Sequence, residues 1–483
     1  MTKMKQRVCL ILFLMSVSFL TLSTAQVFTE NVQFNGSNGD HPYAGLIQGF
    51  NGNFYGTTEF GGKVGGKIIE AAGFQAGSIY SFSGPDGEEP TSPLIQLADG
   101  SFYGTTASGG QYGSGTIFRL YERTKLQILH SFNLTDGALP SAGLLFGSDG
   151  NLYGTTNWGG NYSCNANYGC GTIFRITTSG KLTTLHVFNG TDGANPAFGS
   201  LIEAPDGNFY GTTSAGGTGT ECHYDGGCGT VFKITSSGVL TTLYNFCPQS
   251  GCADGAEPAA GLTLGPHGYF YGTTMDGASG YGTIFRMSPA GQVETIHAFS
   301  GLDGFNPTGG LTRATDGKFY GAAYNGGPNN CHPIDICGTV FRITADGGFQ
   351  ILHQFDLSDG AAPVGNLLQA TTGILYGTTS EGGWLRGECY LKSGCGTIFS
   401  IDMGIGPFVR ALSAFGKVGS TVVILGSALS NATAVSFSGV SAQFKVLSDT
   451  EIKTLVPRGA TNGYISVTVG SQTLKSDVPF IVE

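Results

Sequence analysis

Short runs of alternating apolar and polar residues, separated by Gly/Asp/Ser turns, recur along most of this chain. Residues 140–193 show the unit. Residues 140–146 (PSAGLLF) predict a strand, Ser148-Asp149-Gly150 a turn, and 151–156 (NLYGTT) a second strand. Gly159-Gly160 opens a loop, after which 171–176 (GTIFRI) alternates with period two and predicts a third strand. Thr178-Ser179-Gly180 turns into 182–188 (LTTLHVF), the fourth, and Thr191-Asp192-Gly193 leads to Pro196 and the next unit.

The unit recurs seven times. FYGTT begins at Phe54, Phe102, Phe209 and Phe270, LYGTT at Leu152 and Leu375, and FYGAA at Phe319. The Tyr-to-Tyr intervals are 48, 50, 57, 61, 49 and 56 residues. A strand-rich repeat of about 50 residues is the signature of propeller blades. The expected fold is all-β, a seven-bladed β-propeller over 26–403. Strand one then lines a central channel and strand four forms the outer edge. The 2–3 loops and the Asp-Gly-x-x-Pro turns (Asp86, Asp136, Asp192, Asp254, Asp303, Asp359) emerge on one face. Repeat seven ends at Ile401 without a fourth strand, and 26–34 (QVFTENVQF) resembles an orphan one, so pairing the two would close the ring. Repeat one is irregular: 77–82 (GSIYSF) matches strand three and leaves no room for a fourth, unless 67–74 supplies a strand.

After Gly404 the repeats stop. Residues 421–425, 434–438, 443–447, 451–456, 464–469 and 478–482 predict short strands, which makes 404–483 a small β-sandwich, with Gly406-Pro407 as a hinge.

Composition sharpens this picture. Charged residues are 12% of the chain against roughly 25% in ordinary globular proteins, and Gly numbers 81 without a collagen period. Residues 1–25 read as a secretory signal: Lys3, Lys5 and Arg7, an apolar run over 8–22, then Ser23-Thr24-Ala25. The run is too short to span a bilayer, and no later segment is a candidate. Losing the signal's three cations takes the net charge from −10 to about −13, which disfavours nucleic acid as a partner. The expected location is secreted, extracellular or on the cell-envelope surface. Cys164/Cys170, Cys222/Cys228, Cys331/Cys337 and Cys389/Cys395 share one spacing, the second Cys always preceding Gly-Thr-(Ile/Val)-Phe; Cys247/Cys252 is a fifth close pair. The shared register predicts local disulfides rather than metal ligands, each contributing about 2 kcal/mol by chain-entropy arguments.

The string (F/L)YGTT…GG…GT(I/V)F(R/K)I…LH.F…DG..P..GL resembles the GloVer tandem repeat of bacterial exported proteins over roughly 34–400. That resemblance implies export and no defined activity. Residues 416–470 resemble IPT/TIG immunoglobulin-like domains, at Gly416, Gly419, Gly426, Val435-Ser436-Phe437, Gly439, Ser448-Asp449-Thr450, Val456-Pro457 and Gly463. This implies a spacer or interaction module.

Catalytic motifs for metalloproteases, serine hydrolases and P-loops are missing. His130, His186, His297 and His353 share one slot of strand four, and Arg119, Arg175, Lys233, Arg286 and Arg342 one slot of strand three. Repetition by register points to structure in both cases. The YGTT tyrosines read as inter-blade core. The turn aspartates could bind a structural Ca²⁺, but each Asp-Gly is isolated, with no D-x-D-x-D-G run, so turn chemistry is preferred and no cofactor is expected. The unrepeated groups on the loop face are the candidate ligand-binding residues: Trp158, Tyr162, Tyr168, His223, Tyr224, Asp225, Tyr281, His332, Asp335, Trp384, Arg386 and Glu388. Exposed Trp and Tyr beside polar groups suit sugar or protein surfaces. The sequence thus supports a non-catalytic binding protein for carbohydrate or an extracellular protein. A polysaccharide hydrolase or lyase and a purely structural envelope protein are the alternatives. Oligomeric state is left open.

Overall fold

The computed structural model describes residues 26–483 apart from 62–64, 163, 165–167, 197–198, 220–221, 223–226, 250, 278–279, 328–336, 387–388 and 390–392. The expected signal segment 1–25 lies outside the described residues.

Among the described residues, seven four-stranded antiparallel sheets follow one another between Val27 and Asp402. Blade three is typical: Leu145–Phe146, Leu152–Thr156, Thr172–Ile176 and Leu182–Val187 pair in sequence order. The second and third strands bury nearly every side chain, whereas the fourth is only partly buried, as an outer edge should be.

Blades stack through aromatic side chains. Tyr55 packs on Phe102, Tyr153 on Phe209, Tyr210 on Phe270 and Tyr271 on Phe319, at ring centroid distances of 4.1–4.5 Å. Tyr376 of the seventh blade packs on Phe54 of the first at 4.2 Å, so the stack returns to its start. The ring is also sealed by backbone: Val27–Gln33 pairs antiparallel with Thr397–Asp402 as the seventh blade's fourth strand. Phe34, at its end, is fully buried. The propeller, its seam and the core role of the YGTT tyrosines all agree with the sequence reading.

Threonines of the repeat supply the cross-links. In blade three, Thr156 Oγ1 lies 2.8 Å from Thr172 Oγ1, and Thr155 donates across the blade interface to Pro196 O at 3.1 Å. Thr212, Thr273 and Thr378 make the corresponding interface bond to Ala260, Gly309 and Ala44. On the opposite face, Gln48, Gln96 and Gln369 each accept the amide of a turn in the preceding blade, at Thr371, Phe50 and Thr315.

Two expectations need correction. Repeat one does have a fourth strand: Lys67–Ala72 is its third and Gln75–Ser81 its fourth, so GSIYSF belongs to the outer edge. The register is set by Tyr80 and Phe82, which take the places that His130 and Phe132 hold in blade two; Tyr80 bonds Asp86 just as His130 bonds Asp136. Strand one is also shorter than predicted, two paired residues in six blades against nine at Ala361–Gln369. The first segments meet around the axis backbone to backbone. A Cβ on Gly199 would lie 2.5 Å from Gly261 N, leaving no space for regular pleated side chains.

Beyond Gly404 two four-stranded sheets pack face to face around Ile424, Phe437, Ile452, Val467 and Phe480. The predicted strands are present with shifted ends, and Gln472–Lys475 is an additional edge strand. This sandwich docks on the face away from the 2–3 loops. Phe408 N donates to Thr371 O and Arg410 Nη2 to Gln369 O, both at 3.0 Å, and Thr450 Oγ1 bonds Phe50 O.

Candidate ligand site at the channel mouth

Each junction between blades is built the same way. The residue before the junction proline adopts a left-handed backbone: His41, Glu89, Leu139, Asn195, Glu257, Asn306 and Ala362, with φ between 51° and 57°. In six of the junctions its carbonyl accepts the amide of the residue just after the GTT (or GAA) segment, for example Glu59 to His41 at 2.9 Å and Tyr324 to Asn306 at 3.2 Å. Two rings of side chains with a shared backbone and unlike chemistry therefore surround the axis on the loop face. Strand geometry repeats around the ring while the groups it presents change, which is how a scaffold displays a binding surface.

A cavity of about 300 Å³ runs along the axis, and all seven blades contribute to its wall, through Tyr43, Thr91, Ser141, Ser200, Ala260, Thr308 and Val364. It shares Tyr43, Met275, Thr308 and Tyr324 with a second cavity of about 600 Å³, which adds Glu257, Asp276, Asn306 and Asn325. Volumes of this order are those of small-molecule sites.

The mouth is asymmetric. The Tyr43 and Tyr324 phenols lie near enough to influence each other's ionisation, and Ser380, whose hydroxyl donates to Ala362 O at 3.1 Å, lies beside Tyr324. Burial pushes the Tyr43 phenol up, and Tyr324, Glu59 and Glu381 add to the shift. Burial and the nearby Glu381 charge raise Tyr324. Burial likewise raises the Glu381 carboxyl, which His41 opposes. His41 Nδ1 lies 2.6 Å from Asp40 Oδ1. Across the mouth, Asn306 donates to Met275 O at 2.8 Å and Asn325 Nδ2 to Asn306 Oδ1 at 3.1 Å. Asn325 Oδ1, Thr308 Oγ1 and Thr91 Oγ1 are buried and have no hydrogen-bond partner within the protein among the described residues. Among the described residues, no Lys or Arg lines either cavity.

The aromatic residues singled out from the sequence sit further out. Trp158 and Tyr168 pack together on blade three with ring centroids 4.4 Å apart. Tyr162 is 39% exposed nearby. Tyr281 meets Phe305 edge-on, and Arg386 lies over the Trp384 ring at 5.6 Å. They form separate rim clusters on blades three, five and seven. His223, Tyr224, Asp225, His332, Asp335 and Glu388 lie outside the described residues. Sequence reasoning missed His41, Tyr43, Glu59, Tyr324 and Glu381. The available signal was positional: they precede or follow the junction proline, or follow the GTT segment, where otherwise identical repeats disagree.

The repeated groups have structural partners. His130, His186, His297 and His353 bond Asp136, Asp192, Asp303 and Asp359 at 2.7–3.0 Å. Arg119 pairs with Asp99 and Arg286 with Glu294, on the face opposite the mouth. Disulfides join Cys164–Cys170, Cys222–Cys228 and Cys389–Cys395, as the shared register predicts, and Cys247–Cys252, the fifth close pair. The remaining expected pair is seen from one side. Cys337 is buried and oxidised in a disulfide, whereas Cys331, the partner expected for it, lies outside the described residues. The sulfurs of Cys222, Cys228 and Cys247 come within 4.8 Å of one another, but all three are oxidised in disulfides, so they offer no thiolate to a metal. Among the described residues no helix is long and apolar enough to cross a membrane.

The Gloeobacter/Verrucomicrobia repeat matches residues 16–223, 68–274 and 220–441, and the IPT/TIG domain matches 407–482. No curated protein sequence matches the chain significantly. Among solved structures, the chain is similar to the extracellular domain of a protein assigned as a hybrid two-component system from B. thetaiotaomicron, with a TM-score of 0.48 and 11% identity over 94% of this chain and 57% of that one. The extracellular domain of a one-component system from the same organism gives 0.47 and 12% over 94% and 59%. A gluconolactonase from Xanthomonas campestris gives 0.37 and 12% over 76% and 97%. The chain thus spans under two thirds of the first two.

Proposed function

The chain belongs to the Gloeobacter/Verrucomicrobia repeat family, and from that premise we propose that it is an exported binding protein whose ligand, a carbohydrate or an extracellular protein, engages the loop face around the channel mouth. One observation carries this reading: seven junctions share a backbone yet carry His, Glu, Leu, Asn, Glu, Asn and Ala around the ring, and two of them, Glu257 and Asn306, line the cavity at the mouth. The sandwich occupies the other face and leaves this one open. Local disulfides in the loops suit an oxidising, extracellular setting. Domain limits of 26–403 and 404–483, with a cleaved segment before them, fit the same reading.

The alternative, a polysaccharide hydrolase or lyase, draws on Glu59 and Glu381 sharing the neighbourhood of Tyr43. A glycan array on the processed protein, followed by product analysis of every hit, separates the two. Retention without cleavage is expected. New reducing ends or unsaturated products would establish the enzyme instead, and capture of a protein with no glycan hit would redirect the ligand class.

A further inference from the structure

We propose that the channel mouth holds one ring of a neutral saccharide against Tyr43 and Tyr324 and discriminates against uronates. The proposal rests on the binding reading above and narrows its ligand class.

Buried polar atoms are nearly always paired. Asn325 Oδ1, Thr308 Oγ1 and Thr91 Oγ1 are not paired within the protein among the described residues, and all three residues line the connected cavities. Asn325 commits one amide hydrogen to Asn306 Oδ1, and its buried, unpartnered oxygen belongs to a residue lining the cavity, where it can serve as an acceptor. Carboxylates at Glu257 and Asp276 line the same space, and Glu59 and Glu381 lie beside the two tyrosines. These are acceptors too. An acceptor-rich site calls for a ligand rich in donors, and vicinal hydroxyls supply them. The tyrosine rings add an apolar surface of the kind that packs against the C–H face of a pyranose. A uronate would bring another carboxylate into a space that no described Lys or Arg lines. The axial cavity of about 300 Å³, with the backbones of Gly45 and Gly365 in close approach at its wall, is of a size for one ring.

Calorimetry with the processed full chain tests this, using neutral gluco-, manno-, galacto- and xylo-oligosaccharides and hexuronate oligosaccharides of matched length. At least one neutral series should bind at least tenfold tighter than any uronate. Thr308→Val removes the hydroxyl at nearly constant shape and should weaken that binding at least tenfold with an unchanged melting temperature. Glu381→Gln keeps an acceptor but removes charge, and should raise uronate affinity severalfold, a gain that misfolding cannot produce. Equal or tighter uronate binding by the unaltered protein overturns the proposal. A larger loss at Trp384→Ala than at Thr308→Val overturns the mouth assignment while sugar binding itself stands. Failure of every glycan, with a protein ligand captured instead, overturns both the saccharide and its site.

Discussion

Blades two to five and the sector from blade six through seven to one are built from the same repeat but use it differently. In the regular blades the repeated Thr, His and Tyr side chains have structural tasks. The second Thr of GTT meets the Thr of strand three at 2.8–2.9 Å, the first reaches the next blade, and the slot two residues before the buried Phe holds a His or Tyr bonded to the turn aspartate. In blade six GTT becomes GAA, and both hydroxyls are lost at Ala322 and Ala323. The neighbouring first strand extends to nine residues at Ala361–Gln369 and carries a bulge between Val364 and Leu368. Blade seven's outer strand puts Val32 and Asn38 where other blades have His and Asp. Tyr43, Tyr324 and Glu381 gather in this sector. Where the repeat is obeyed the side chains are consumed by packing; where it is broken, side chains become available to the mouth.

The seam is where this comparison can be broken most violently. Removing 26–34 exposes the edge of Thr397–Asp402 and deletes Phe34, and the protein should lose its cooperative urea transition. Retention of a normal transition would mean that the ring does not depend on its closure. Phe34→Ala and Phe132→Ala should each cost about 3–5 kcal/mol in urea titrations, because both rings are fully buried at the same place in their blades. A much cheaper Phe34→Ala would show the seam to be weaker than the regular interfaces.

Asp136→Ala should cost about 1–3 kcal/mol, since it strands His130 and the Asn133 amide. Asn38→Ala, its counterpart in the seam, should cost about 1 kcal/mol, because it strands only the Asn35 amide among comparable partners.

Acid should reveal the same ladder. Burial pushes the Asp136 and Asp192 carboxyls up, but their histidine partners and the turn amides outweigh it and hold both below the ordinary value. The unfolded chain then binds those protons more tightly. Their contribution is complete above an unfolded pKa of about 3.9 and is lost as pH falls through the lower folded values. His297 is lowered by burial against the pull of Asp303, so its charging opposes folding and begins to reduce stability below about pH 6.5. Melting temperatures measured from pH 8 to 3 should therefore fall gently at first and steeply near the end. Asp136→Asn should blunt the steep part.

The smallest effect is a gain. Ala323→Thr restores the hydroxyl opposite Thr339 and should stabilise by about 0.5–1.5 kcal/mol. A loss instead would mean that blade six has adapted around its alanines.

Much of this molecule is legible in one dimension because a repeat writes its own register. YGTT fixes strand two, GT(I/V)F fixes strand three, and the DG turn fixes the return to the axis. The fourth strand of repeat one was hidden because 77–82 (GSIYSF) mimics the GT(I/V)F of a third strand, whereas the actual third strand, Lys67–Ala72 (KIIEAA), lacks that motif. The rim aromatics were visible as unrepeated Trp and Tyr near the loops. The mouth was not, because His41, Tyr43, Glu59, Tyr324 and Glu381 are separated by up to 340 positions and look like ordinary junction residues.

The chain by itself determined the blade, its count of repeats and the orphan strand at its start, since these follow from local periodicity and turn chemistry. Only the closed ring decided which side chains meet. Convergence on an axis is a property of circular order: each blade adds residues to the wall of the axial cavity, and no local pattern records which residue will face them from the other side.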